Sequence, residues 1–70
     1  MNLLLLLPED ARDGARFTVG GARADHLRSV LEVKVGQRLH VGQLNGALGT
    51  AEVEKVGAHE VQLVATFEDA

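Results

Sequence analysis

The sequence predicts a mainly β fold: a small closed or nearly closed barrel of five or six short strands with one α-helix. Apolar and polar residues alternate through most of the chain, the period of a strand with one buried face. One segment, from Ala22, switches to helical spacing. With only 70 residues, a one-sided sheet must curl on itself to bury its apolar face, and the helix is left to cover one opening.

Each element has its own reason. Leu3 to Leu7 is a run of five leucines stopped by Pro8, which suits a strand buried on both faces; a short buried helix is the rival. Glu9 to Ala15 is charged and contains Gly14, so it reads as a loop. Arg16-Phe17-Thr18-Val19 alternates and carries β-branched and aromatic members, a short strand ended by Gly20-Gly21. Ala24, Leu27, Val30 and Leu31 then share one helical face, with Gly21 as the cap in the absence of Ser, Thr, Asp or Asn. Val33 and Val35 alternate with Glu32 and Lys34, and Gly36 turns the chain. Leu39 and Val41 alternate with Arg38 and His40. Asn45-Gly46 signals a hairpin of type I′, since both residues tolerate positive φ. Ala51 and Val53 continue on its far side, Gly57-Ala58 turns again, and Val61, Leu63, Ala65 and Phe67 form the last inward-facing row. OB-type and PUA-like barrels both satisfy this pattern.

Composition excludes several function classes. Hydrophobic residues make up 46% and charged residues 24% of the chain, as in a folded single domain. Phe17 and Phe67 are its only aromatics, too few for a stacking platform for single-stranded nucleic acid. There is no cysteine, hence no disulfide, thiolate nucleophile or Cys-based zinc site. The leucine run is far short of the roughly 18 apolar residues of a spanning helix. It also lacks the basic start of an export signal. The expectation is a cytoplasmic protein without membrane or metal partners.

The net charge of −3 conceals a segregated distribution. Arg12, Arg16, Arg23, Arg28, Lys34 and Arg38 lie in one window against Asp13, Asp25 and Glu32. Outside it Glu9, Asp10, Glu52, Glu54, Glu60, Glu68 and Asp69 face Lys55 alone. Such segregation either builds a one-sided positive face or is an ordinary mixed surface. Arg23 and His26, three apart on a helix, are surface neighbours, with Arg28 toward the flank. Lys34 and Arg38 join them if the chain turns back at Gly36. Guanidinium forks and ammonium charges bind phosphate, which positions a protein on nucleic acid without reading sequence. The alternative is a solvated helix face.

Catalytic signals are absent. His26, His40 and His59 lack metal-motif spacing. Ser29, the only serine, is placed mid-helix and not in a nucleophile elbow. Gly42, Gly46 and Gly49 match no phosphate-binding fingerprint and read as turn glycines.

His26-Leu27-Arg28-Ser29-Val30-Leu31, then Lys34-x-Gly36, then Leu44-Asn45-Gly46-x-x-Gly49, together with the opening Met1-Asn2-Leu3-Leu4-Leu5, resemble the N-terminal domain of the RsmE family. These are bacterial methyltransferases acting on N3 of a uridine in small-subunit ribosomal RNA. The likeness runs through all 70 residues in order. It departs from the family pattern at Glu32, where an arginine is usual, and at Gln37, where an aspartate is usual; the second departure is expected to loosen the turn at Gly36. The resemblance implies a PUA-like barrel that holds folded rRNA through Arg23, His26, Arg28, Lys34 and Arg38, with Arg16 as a further contact. It also implies that this chain, a single domain over residues 1–70, is an N-terminal fragment. The family's second, knotted domain binds S-adenosylmethionine and supplies catalysis and the homodimer interface; no cofactor is expected in this chain. A different class of reading is a free-standing barrel that docks a protein partner through the leucine run or a strand edge.

Overall fold

The structure is a computed structural model and describes residues 3–68. Met1, Asn2, Asp69 and Ala70, which carry part of the opening resemblance and of the acidic tail, lie outside the described residues. In chain order come β1 (Leu3–Leu6), a single 3₁₀ turn (Pro8–Asp10), β2 (Arg16–Gly20), α1 (Gly21–Ser29), β3 (Arg38–Gln43), β4 (Leu48–Val56) and β5 (Glu60–Phe67). The strands form one sheet in the order β1-β3-β4-β5-β2. The β1–β3 pairing is parallel, and the others are antiparallel. The sheet curls into a half-barrel with the helix against it, in keeping with the mainly β class expected.

Alternation places the core as read from the sequence. Val41 on β3, Ala51 and Val53 on β4, Val61, Leu63 and Ala65 on β5, and Phe17 and Val19 on β2 all turn inward and are buried. Ala24 and Leu27 close the core from α1. Burying a leucine such as Leu27 contributes roughly 1.5–3 kcal/mol. Phe17 and Phe67 meet edge to face with ring centres 6.0 Å apart, so both aromatics serve the packing.

Several local expectations are corrected. First, the leucine run is not buried on both faces: Leu6 is buried, but Leu3 and Leu5 are exposed by 53% and 41%. An unbroken apolar run carries no alternation to show which face packs, and β1 lies at the margin of the sheet. Second, Val33 and Val35 do not form a strand. Glu32 takes a left-handed φ of 51°, which breaks the extended chain. The Val33 N–H returns to the Leu27 carbonyl, and the Gly36 N–H reaches Val53; Val33 is buried and Val35 exposed. Third, Val30 lies past the helix end and is 64% exposed, and Ser29 closes the helix, its hydroxyl donating to the Asp25 carbonyl at 2.5 Å. Fourth, the Asn45-Gly46 hairpin forms with a three-residue loop. Gly46 donates to Gln43, Gln43 donates to Ala47, and only Gly46 of the pair has positive φ. That is a type I turn followed by a left-handed glycine, with Asn45 Oδ1 accepting from the Ala47 N–H.

The strand-to-helix switch has no loop. Gly20 is the extended cap residue, one position earlier than read, and Gly21 bends the chain into α1 at φ 58°, where a side chain would be strained. The turn at Gly36 is not loosened by Gln37. Its side-chain oxygen accepts from the Lys34 N–H at 3.1 Å, and its own N–H donates to the Lys34 carbonyl.

Candidate functional site

The 3₁₀ turn after β1 brings a carboxylate inside. Proline suits the first helical position, and an acid two residues later can reach back to the free amides. Here Asp10 Oδ2 accepts from the Leu7 N–H at 2.8 Å. Asp10 is buried, and Arg23 from α1 grips it with both terminal nitrogens, each at 2.6 Å. Arg23 Nη1 also donates to the Leu5 carbonyl at 2.9 Å. Burial by itself pushes the Asp10 carboxyl up. The Arg23 hydrogen bonds, the Leu7 amide and the charges of Arg23 and Arg12 outweigh that and hold it below the ordinary carboxylate value. The same fork raises Arg23. This bidentate pair locks α1 onto the end of β1. It takes up main-chain groups at Leu5 and Leu7 that an added strand would use, a device that blunts a sheet edge.

Beside this lock lies a groove of about 400 Å³ between α1 and β1. Leu3, Leu4 and Leu5 from β1, Leu39 from β3, and Leu27 and Leu31 from the helix and its exit supply the apolar lining; Arg23, His26 and His40 supply the polar groups. No carboxylate is among its lining residues.

The residues singled out from the sequence separate into distinct settings. Arg23 and His26 both line the groove, as their helical spacing implies. Arg28 turns to Asp25 at 2.6 Å and keeps a buried Nε without a partner. Lys34 is exposed in the loop after the helix. Arg38 opens β3 on the outer face of the sheet, opposite Glu52 in register, and lines a shallow depression with Thr50, Glu52, Val64 and Thr66. Among the described residues neither Lys34 nor Arg38 makes an ion pair. Arg16 lies within 3.4 Å of Glu54, an exposed pair of small energetic weight. Glu54 falls where the β4–β5 register slips between Val53 and Lys55.

His40 and Asp10 were missed by the sequence reading. His40 is two residues from Arg38 on β3 and therefore shares its face; that alternation was the available signal. It lines the groove together with Arg23 and His26 and shares one face of β3 with Arg38. Asp10 was hidden because a local acidic loop and a buried partner for a distant arginine look alike in one dimension. Among the described residues no three His, Cys, Asp or Glu side chains gather as a metal site, and no helix is long and apolar enough to cross a membrane.

No protein-family model matches the chain, and no curated protein matches it in sequence. Solved structures do match it in fold. A crystal structure of a hypothetical protein superposes with a TM-score of 0.77 at 14% identity, covering 99% of this chain and 29% of the other. A predicted RNA methyltransferase from Thermotoga maritima gives 0.70 at 16% identity over 90% of this chain and 28% of its own. A proposed methyltransferase from Legionella pneumophila, solved with S-adenosylmethionine bound, gives 0.71 at 18% identity over 94% and 28%. The chain thus has the fold of one domain of these proteins and spans less than a third of the length of each.

Proposed function

We propose that this domain is the RNA-holding module of an RNA methyltransferase, and that its RNA is small-subunit ribosomal RNA presented for methylation at N3 of a uridine. The observation that carries the reading is that Arg23, His26 and His40 line one groove, while Arg38, on the same face of β3 as His40, and the loop residue Lys34 make no ion pair among the described residues, on a fold shared with proteins described as methyltransferases. Arg38 and Lys34 offer free charge to phosphates, and Arg28 can exchange its exposed Asp25 partner for a phosphate at little cost. Arg23 holds the helix that displays His26, so its part is to position that neighbour. These contacts grip and orient; they do not read base edges.

S-adenosylmethionine is bound in the structure of the Legionella pneumophila neighbour. The groove between α1 and β1 has no carboxylate among its lining residues to take that cofactor's ribose hydroxyls.

The test is RNA affinity against salt for the wild type and the Arg28→Ala/Arg38→Ala double variant. The double variant is expected to bind more weakly and to reduce the slope of log affinity on log salt by up to about 2, roughly 1 per lost phosphate contact. An unchanged affinity and slope would remove these residues from the interface. A second reading, a protein-docking barrel, is favoured by exposed Leu3, Leu5, Leu44 and Leu48. Leu3 and Leu48 close over Gly42, each 3.4 Å from where a β-carbon would stand. Retention on heparin separates the two, since a barrel without a basic face flows through.

A further inference from the structure

The groove between α1 and β1 combines features that phosphate gripping alone does not use. Its walls are leucines from three parts of the chain, its polar groups are Arg23, His26 and His40, and its volume is about 400 Å³, within the size range of small-ligand sites. Of its polar groups Arg23 is already paired with Asp10, which leaves the imidazoles of His26 and His40 to meet an occupant. An occupant must therefore have an apolar face to set against the leucines and an anionic or hydrogen-bonding edge to meet the imidazoles. An unstacked nucleotide has both. Its base buries a flat face by apolar contact, while its phosphate and carbonyl oxygens accept from ring N–H groups.

We propose, resting on the RNA reading above, that this groove receives one unpaired nucleotide of the bound RNA, its base against the leucines and its phosphate at His26 and His40. RNA recognition commonly targets such splayed-out nucleotides. An extended peptide is the rival occupant, and the structure disfavours it. Strand addition to β1 needs main-chain groups that the Arg23–Asp10 pair already holds at Leu5 and Leu7. The groove thereby sets the register of the RNA on the domain, and the free charges of Lys34 and Arg38 supply the grip.

The test uses two RNA hairpins, one with a single unpaired uridine in its stem and one fully paired, titrated by fluorescence anisotropy. The wild type is expected to prefer the bulged hairpin about five- to tenfold, the low end of single-base stacking effects because the walls are aliphatic. Ala22→Leu fills the groove from an exposed helix position and leaves every charge in place. It is expected to abolish the preference while keeping the affinity for the paired hairpin. His26→Ala and His40→Ala, both at exposed positions, are expected to reduce the preference if Ala22→Leu does not fold. Equal binding of the two hairpins by the wild type, or a preference that survives these substitutions, overturns the groove assignment and leaves the RNA reading standing. Binding to neither hairpin overturns both. Saturable binding of a leucine-rich peptide in place of any RNA preference overturns the assignment in favour of a protein strand.

Discussion

Removing the Asp10 carboxylate should destabilise the domain far more than a surface acid would, and by a pH-dependent amount. In Asp10→Ala the Arg23 fork loses two bonds of 2.6 Å and the Leu7 N–H loses its acceptor at 2.8 Å. Asp10 is 5% exposed and Arg23 32% exposed, so the pair lies between two limits. A buried pair broken on one side costs about 3–5 kcal/mol, whereas an exposed pair is worth under about 1 kcal/mol. Arg23 keeps its bond to the Leu5 carbonyl and recovers water on its exposed side, which sets the expected loss near 2 kcal/mol. For a domain of this size that lowers Tm by roughly 8–16 °C. The folded Asp10 carboxyl lies below its ordinary value because the Arg23 and Leu7 hydrogen bonds outweigh burial. A carboxylate lowered on folding contributes fully above its unfolded value, near 4, and loses that contribution as pH falls through the folded value. The gap between wild type and Asp10→Ala should therefore hold at neutral pH and narrow from about pH 5 downward. Urea denaturation of both proteins across that range measures it. A gap below about 0.5 kcal/mol at neutral pH, or one that stays constant into acid, would refute the argument.

Two further substitutions probe the backbone. At Gly49 an added β-carbon would lie against the Thr66 carbonyl and 2.8 Å from Phe67 Cα, both main-chain atoms of the neighbouring strand, so Gly49→Ala should cost about 3 kcal/mol or more; a thermal melt near the wild-type value would show that the strands can part there. Glu32→Gly should stabilise the chain by roughly 0.5–1 kcal/mol, because relief of a left-handed φ of 51° exceeds the entropy added to the unfolded state. A lowered Tm would mean that the Glu32 side chain contributes something its exposed setting does not reveal.

The strands that alternate and the helix that follows Gly20-Gly21 were legible in the sequence, because burial of one face imposes a period of two or of 3.6 wherever it occurs. The inward residues of β2, β4 and β5 and the groove neighbours Arg23 and His26 follow from that rule directly. Where periodicity is silent or copied by accident, the sequence misled: five leucines in a row cannot show which side packs, and Val33-Lys34-Val35 alternates without being a strand. The hairpin was legible but its loop length was not, since Asn-Gly serves both a two-residue turn and a three-residue loop. Only the tertiary structure decided which charges are free. Asp10 and Arg23 are thirteen residues apart and meet because α1 lies against the end of β1. Lys34 and Arg38 remain open; Arg28 is the local exception, pairing with Asp25 three residues back on its own helix, a spacing the sequence already offers. Local sequence determines which face a side chain leaves from, whereas the partner it meets is set by elements distant in the chain, and no period encodes that distance.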